Sequence, residues 1–552
     1  MSRFIDSLLA TAGRSEHGIV TGEREHPRRR TWAQVHDQAR AVAAALIADG
    51  LEPGGAVALL AVDPALIAPA AQGVWLAGGS VTMLHPPTAR GSLAEWVADC
   101  VRALKMIGAG TVLLDPSFEL VVPLLDEHGV AHRPLAALAE ASMPDDERPV
   151  VPRGEQDTAL LQLTSGSTGS PKAVRITHGN LVANIGSIAE RTRLDPDRDV
   201  MMSWLPLFHD MGMVGFLATP MALGLELVQI TPVDFLNDPL IWPALLDKYR
   251  ATVTCGPNFA FALLGRRLAR VKDPDAYDLS PLRVAVNGAE PIDDSAVRAF
   301  TDEAARFGLR AECVLPAYGM AEATLAVSMA EPLTGLSADA VDPAHPDAAT
   351  LAAPAAPGTP AKHHARLGRP LSGLEVAVVA ADGSVLGERR IGEILVRGES
   401  VTEQYITPDG LVAARDERGW LHTGDLGYLV DGEVVICGRS KDAIIMAGRN
   451  IYPTDIERAA ESVQDVRAGG VAAVRLDAGT AREGFALVLE SRQAGDADAE
   501  QRLVREVTSR VVDVVGARPA AVRVVKPGML PKTPSGKLRR ADAARLLALT
   551  AA

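Results

Sequence analysis

Residues 31–50, TWAQVHDQARAVAAALIADG, place Val35, Ala39, Val42, Ala43 and Leu46 at helical spacing on one face. Thr31 supplies an N-cap and Gly50 a stop, so the stretch predicts an amphipathic helix. The run GGAVALLAV (54–62) predicts a buried strand, followed by an Ala-rich helix that closes near Gly78 and Gly79. Short apolar runs then alternate with helical periods to about residue 320, among them Leu160 with Leu161, and Val284 with Val286. That order predicts an α/β fold with largely parallel sheets. From Leu374 the runs shorten: EVAVV, GEILVRG (392–398) and Val434 to Cys437 predict strands of a small β subdomain. Residues 442–552 mix strand patterns (GVAAVRL, ALVLES) with one amphipathic helix (500–515), which predicts a small α+β domain. Between Ala330 and Lys362 the chain turns Ala/Pro-rich with scattered acids, the composition of a long loop or insertion. There is no internal repeat.

Composition narrows the class. At 552 residues, 47% hydrophobic and 22% charged, the chain is long enough for several subdomains and has a globular balance. The N-terminal apolar patch is broken by Asp6, and the longest apolar candidate, Ala56 to Val81, contains Asp63 and Pro64. Neither a signal peptide nor a membrane span is predicted, and the expected location is the cytoplasm. Cys100, Cys255, Cys313 and Cys437 are far apart, with no CxxC or His cluster, so no disulfide framework or zinc site is indicated. A net charge of −14 argues against nucleic acid as a partner. Its distribution is uneven: residues 442–552 hold 17 Lys+Arg against 14 Asp+Glu, and Arg523 to Arg540 includes six basic residues and no acid. A basic tail on an acidic body suits polyanionic ligands or an acidic protein partner.

The chemistry centres on Leu163 to Lys172, LTSGSTGSPK. Thr164, Ser165, Ser167 and Thr168, with Gly166 and Gly169, form a loop whose N–H groups and hydroxyls can face phosphate oxygens, and Lys172 adds a point charge. It is not the ordinary P-loop, because Pro171 precedes the lysine and no Ser or Thr follows it. The stretch resembles the phosphate loop of the adenylate-forming superfamily (acyl-CoA synthetases, luciferases, peptide-synthetase adenylation domains). Further signatures of that family follow in order. Residues 199–224 carry Trp204-Leu205-Pro206 and His209-Asp210-Met211-Gly212; 254–264 read TCGPNFAFALL; 282–291 read LRVAVNGAEP; 318–324 read YGMAEAT; 420–425 read WLHTGD; Arg439 and Lys441 precede GRNIYPTDIE; and Lys537 follows PKTPSG. The chain is identified as a member of the superfamily, and GPNFAF and NGAEP look most like its fatty acyl-AMP ligases.

The resemblance implies a large N-terminal adenylation domain (1–438, insertion about 330–362), a hinge at 439–441 centred on Lys441, and a small mobile C-terminal domain (442–552). It implies ATP and Mg²⁺ as cofactors. Thr164, Ser165, Gly166, Ser167, Thr168, Gly169 and Lys172 would hold phosphates, and Asn287, Gly288, Ala289, Glu290 and Pro291 the adenine beside Tyr318, Gly319, Met320 and Ala321. Asp425 would accept both ribose hydroxyls, with Arg439 on ribose and phosphate. Glu322, with Thr168, would take the metal, and Lys537 would enter to bridge the carboxylate and the α-phosphate. His209, Asp210, Met211, Gly212, Met213, Gly256 and Phe259 would face the acyl group, His209 between nucleotide and substrate. Met211, Met213, Phe216 and Met221 offer the flexible apolar surface that a fatty tail needs, and would serve equally as core. Phe208 is followed by His209 where amino-acid-activating relatives have an Asp, so an amino-acid substrate lacks its counter-charge. The implied reaction forms a fatty acyl-adenylate and passes the acyl group to an acyl carrier protein or, in the second reading, to CoA. A non-catalytic adenylate-binding scaffold would need a broken site, which these residues do not show. A luciferase-type oxidoreductase shares the adenylation step, but its wording is further away.

Overall fold

The structure, a computed structural model of the chain, describes residues 1–552 except 88–91, 140–149, 166–170, 447–448, 479, 481–482, 534–535 and 549–552, and no side chain at 139, 165, 171, 449–450 or 548. It divides into two compact units. The first comprises Met1–Ala338, Ala365–Val376 and Leu395–His422; the second comprises Asp339–His364, Ala377–Ile394 and Thr423–Ala552.

The first helix expected from the pattern runs Trp32–Ala48, with Thr31 and Gln34 closing a capping box and Val35, Ala39, Val42, Ala43 and Leu46 buried. The run after it forms the strand Ala56–Leu60, and the Ala-rich helix is Pro64–Leu76. That strand lies inside an eight-stranded sheet, where Thr158–Ser165, Ser80–Met83, Ala56–Leu60, Thr111–Leu114 and His132–Pro134 run parallel. At its other edge the chain doubles back: Pro171–Thr177 pairs antiparallel with Thr158–Ser165, and Gln404–Thr407 pairs antiparallel with Pro171–Thr177.

The second sheet of this unit has nine strands. Six of them are parallel in the order Val314–Gly319, Val284–Asn287, Val253–Gly256, Val200–Ser203, Glu226–Gln229 and Gly18–Thr21. Four of the sequence signatures follow the first four strands of that order, at their carboxyl ends, the side on which open α/β sheets bind ligands. The opposite ends are tied by charge. Asp199, Thr252 and Arg283 each precede one of these strands. The Asp199 carboxylate accepts from Arg283 Nε and Nη2 at 2.7 and 2.6 Å, and from Thr252 Oγ1 at 2.8 Å.

In the second unit the expected C-terminal helix spans Ala497–Val515, burying Ala499, Leu503, Val507, Val511 and Val515 on one stripe. Leu503, Val507 and Val511 pack with Ile456, Phe485, Leu487 and Val524 around the sheet of Val471–Leu476, Gly484–Glu490 and Val522–Val525. The Ala/Pro-rich segment is more ordered than its composition suggests. It contributes the strands Ala338–Val341 and Lys362–Ala365, which pair with each other. Buried Asp339 accepts from both terminal nitrogens of Arg389 at 3.1 and 2.9 Å and from the Tyr428 hydroxyl at 2.7 Å. A buried carboxylate so satisfied anchors a segment that lacks large apolar residues. Among the described residues, no helix is long and apolar enough to cross a membrane.

Burial opposes ionisation of Asp199, yet its hydrogen bonds from Arg283, Arg198 and Thr252 outweigh that and hold the carboxyl down at about 2. A carboxylate whose pKa is depressed on folding stabilises above its ordinary value of 3.8, and that contribution is lost as pH falls towards about 2. Asp199→Asn leaves the half-buried Arg283 without its charge partner and should cost about 2 kcal/mol at pH 7. Urea melts check this: the gap between the wild-type and variant midpoints should narrow as pH drops from 4 to ~2.

Candidate active site

Lys172 sits on the strand Pro171–Thr177, in register with Thr164 across the hairpin. Gly166, Ser167, Thr168 and Gly169 of the loop between them lie outside the described residues, as does the Ser165 side chain. The Lys172 ammonium is 3.1 Å from Glu322 Oε1 and 3.8 Å from the centre of the Tyr405 ring, and the Tyr405 hydroxyl donates to the same Glu322 oxygen at 3.2 Å. Three residues remote in sequence thus meet at one point.

Glu322 belongs to a single turn, Ala321–Ala323, after the strand Val314–Gly319. The next residue, Thr324, has φ 72° and ψ −53°, a conformation that a β-branched residue rarely adopts. It is fully buried and held there by its hydroxyl, which donates to the Ser400 carbonyl at 2.7 Å. The Glu322 carbonyl accepts from the Thr402 N–H at 2.7 Å. Gly319 allows the preceding strand to lie close: a Cβ there would come within 2.0 Å of the Leu325 carbonyl oxygen. Tyr318 pairs in register with Ser328, and Met320 and Ala321 are buried.

Asn287 ends its strand fully buried, and the turn Gly288-Ala289-Glu290-Pro291 follows, with Ala289 at φ 68°. Gly288 would bring a Cβ within 3.2 Å of the Ala317 carbonyl oxygen, so the turn approaches the neighbouring strand closely. Glu290 Oε1 accepts the Phe259 N–H at 2.6 Å, which places a carboxylate on the N-terminus of the helix Asn258–Leu268. Gly256, in register with Asn287, faces an aromatic cluster: a Cβ would be 2.9 Å from the Trp242 ring and 3.6 Å from Trp204. Trp204 stacks on Phe235 at 3.9 Å and meets Phe259 edge-on; Phe259 is 39% exposed.

His209 Nδ1 lies 2.6 Å from Asp210 Oδ1, and Asp210 also accepts the Met211 N–H at 2.7 Å. The Asp210 carboxylate therefore orients the imidazole. The His209 side chain is 20% exposed, so it is not a sealed core histidine. Met211–Ala218 is π-helical, a rare winding that recurs at functional sites, and Gly212 admits the Pro206 carbonyl where a Cβ would be 2.3 Å away. Met211, Met213, Phe216 and Met221 are all buried in this structure.

The second unit carries the remaining residues. Asp425 and Arg439 are cross-strand partners, and Arg439 Nε donates to Asp425 Oδ1 at 2.7 Å. Lys441 lies in the turn Ser440–Asp442, its carbonyl accepting from Arg475 Nη1 at 3.1 Å. Lys537 is exposed in a tight loop in which its own N–H donates to Thr533 Oγ1 at 3.0 Å. Arg540, three residues on, makes a two-pronged ion pair with Glu457 at 2.8 and 2.7 Å.

Residues 10–406 match the family model described as AMP-binding enzyme. The chain belongs to the AMP-binding enzyme family. It is 49% identical to Rv1013 of Mycobacterium tuberculosis, provisionally named a ligase, over 99% of this chain and 100% of that one. A Caulobacter vibrioides protein provisionally named an acyl-CoA synthetase is 34% identical, with 93% and 89% covered. The long-chain-fatty-acid–AMP ligase FadD26 of Mycobacterium marinum is 32% identical, with 93% and 90% covered. Among solved structures, one from a study of fatty acyl-adenylate ligases of E. coli and L. pneumophila superposes with a TM-score of 0.88 at 31% identity, covering 100% of this chain and 99% of that one.

In this AMP-binding enzyme the fold brings together Lys172 with Glu322, Asn287 with Gly256, His209 with Asp210, and Asp425 with Arg439. Sequence reasoning missed Tyr405 and Thr324. Nothing in the segment GESVTEQYITPDG marks Tyr405, because its contact depends on strand register. Thr324 carried only the signal of a threonine next to a Glu turn. Thr324→Val keeps the shape but leaves the buried Ser400 carbonyl without its donor, and should destabilise by about 2 kcal/mol in chemical denaturation. Thr324→Ser, which keeps the hydroxyl, should recover most of that loss.

Proposed function

We propose that this enzyme is a fatty acyl-AMP ligase that activates a fatty acid with ATP, releases pyrophosphate, and passes the acyl group to the phosphopantetheine thiol of an acyl carrier protein. The observation that carries the first half is the Lys172–Glu322 ion pair, which joins the lysine of the phosphate loop to the carboxylate beyond the Val314–Gly319 strand. Attack by a carboxylate on the α-phosphate brings two anions together, so the site must neutralise charge and align the reactants. Lys172 and the loop from Thr164 hold the β- and γ-phosphates. The Asn287–Pro291 turn with Tyr318 holds the adenine, and Asp425 with Arg439 the ribose. His209, fixed by Asp210, stands between nucleotide and acyl chain, and Gly256, Phe259 and Met213 face the chain. A carboxylate oxygen bonds to the α-phosphorus, the bond to the bridging oxygen breaks, and pyrophosphate leaves. Lys537 stabilises the charge of that transition state.

Glu322 fits Mg²⁺: its carboxylate is a hard oxygen donor beside the lysine of the proposed phosphate loop, and Mg²⁺ takes one or two protein oxygens beside phosphates and water. When bound, the ion neutralises phosphate charge. For the second half, residues 442–552 turn about the hinge at Lys441, withdraw Lys537 and admit the thiol, which attacks the acyl carbon and expels AMP.

Carrier protein is favoured over CoA by the insertion. Lys362 Nζ lies 2.6 Å from Asp455 Oδ2 and over the Tyr452 ring, so the insertion grips the helix Pro453–Glu461 of the part that must move. The basic run Arg523 to Arg540 suits an acidic carrier. Transfer to CoA is the second reading, since the first half-reaction is the same.

Mass spectrometry of products formed from ATP, Mg²⁺ and a fatty-acid mixture, with and without CoA, tests this. Acyl-AMP should accumulate and ignore CoA, and the surviving chain length names the substrate. Lys362→Ala, which breaks one restraint without removing the buried Asp339 anchor, should raise any acyl-CoA product several-fold. Acyl-CoA from the unmodified enzyme would move it to the synthetases, and no adenylate at all would reopen the scaffold reading.

A further inference from the structure

We propose that Tyr405 is a positioning residue of the adenylation site, holding the Lys172 ammonium on its ring face and one Glu322 oxygen on its hydroxyl. The inference rests on the adenylation reading above and assigns a role to a residue outside the segments quoted in the sequence analysis.

The placement follows from strand register. Gln404–Thr407 pairs antiparallel with Pro171–Thr177, with Tyr405 opposite Val174 and Ile406 opposite Ala173. Lys172 is two residues from Val174, so Tyr405 and Lys172 are diagonal neighbours on one face of the sheet, within reach for long and aromatic side chains. The ammonium is 3.8 Å from the ring centre, a close cation–π distance.

The backbone that carries Tyr405 is tied down on both sides. Thr402 donates its N–H to the Glu322 carbonyl at 2.7 Å and its hydroxyl to the Arg175 carbonyl at 2.5 Å. The Ser400 carbonyl accepts from Thr324 at 2.7 Å, and the Glu399 carbonyl from Asn180 Nδ2 at 2.6 Å. These ties link residues 399–405 to the lysine strand and to the glutamate turn. A phenol held there is a fixed reference point for both charges.

Before nucleotide binds, Lys172 and Glu322 neutralise each other. Bound phosphate would compete with Glu322 for the ammonium, and a cation held by Glu322 would compete with Lys172 for the carboxylate. Tyr405 offers both a replacement: its ring face continues to favour the ammonium, and its hydroxyl continues to hold Oε1. The hydrogen bonds from Lys172 and Tyr405 both fall on Glu322 Oε1. The two charges separate without either side chain losing its orientation.

Calorimetric titration of the full-length enzyme with ATP, in Mg²⁺ and separately in EDTA, tests this on Tyr405→Phe and Tyr405→Leu. Tyr405→Phe keeps the ring and should bind ATP in EDTA as the wild type does, while losing several-fold of the affinity that Mg²⁺ adds. Tyr405→Leu loses both contacts and should weaken binding about 10-fold in either medium. Wild-type affinities in both variants, or identical losses in both, would overturn the proposal and leave Tyr405 as packing. If Tyr405→Leu does not fold, Tyr405→Phe decides alone, through its Mg²⁺-dependent loss or its absence. Acyl-adenylate formation by the wild type is measured in parallel. Its failure would count against the adenylation reading, whereas the titrations judge Tyr405 independently.

Discussion

The ion pair between Lys172 and Glu322 spans 150 residues of sequence, and elements of both large sheets of the first unit are needed to close it. Two like-charged reactants meet only where positive charge is fixed in advance, because a mobile lysine would spend its field on solvent. Lys172 is fixed by the antiparallel edge of the eight-stranded sheet, and Glu322 by a strained turn off the nine-stranded sheet. The segment 399–405 returns from late in the chain to tie the two together. Asp199, Thr252 and Arg283 lock the amino ends of three parallel neighbours, and the turns that carry the sequence signatures leave their carboxyl ends. The strain at Thr324 is sustained by the tightly bonded surroundings.

The second unit applies the same economy to a different need. Its Asp425–Arg439 pair is set by cross-strand register, which holds the carboxylate in one orientation. The insertion is held by buried charge more than by apolar bulk. Asp339 is satisfied by Arg389 and Tyr428, while the Lys362–Asp455 pair lies nearer the surface. Partly exposed pairs contribute little to stability and break readily.

Much of this was legible in the sequence. The helix at 32–48, the parallel α/β core and the C-terminal helix announce themselves by period, because each buries one regular stripe or run. Lys172, Glu322, Asp425 and Arg439 stand in ordered motifs, and the structure brings them into two pairs. Tyr405 was not legible, since a diagonal contact between strands 230 residues apart depends on register that no local pattern encodes. The strands of the insertion were hidden for a related reason: a buried Asp and backbone pairing leave no hydrophobic signature. The separation into two compact units also departs from chain order, because the insertion and residues 377–394 join the C-terminal part through contacts rather than sequence.

In the proposed reaction these charges direct a fatty-acid carboxylate onto the α-phosphate of ATP. The most direct test uses a fatty acid with both carboxylate oxygens labelled as ¹⁸O, ATP, and hydroxylamine to capture the activated acyl group. The account predicts a hydroxamate and AMP carrying one ¹⁸O atom, because the bond formed is between a carboxylate oxygen and the α-phosphorus. ADP as the nucleotide product, or AMP without label, would contradict it.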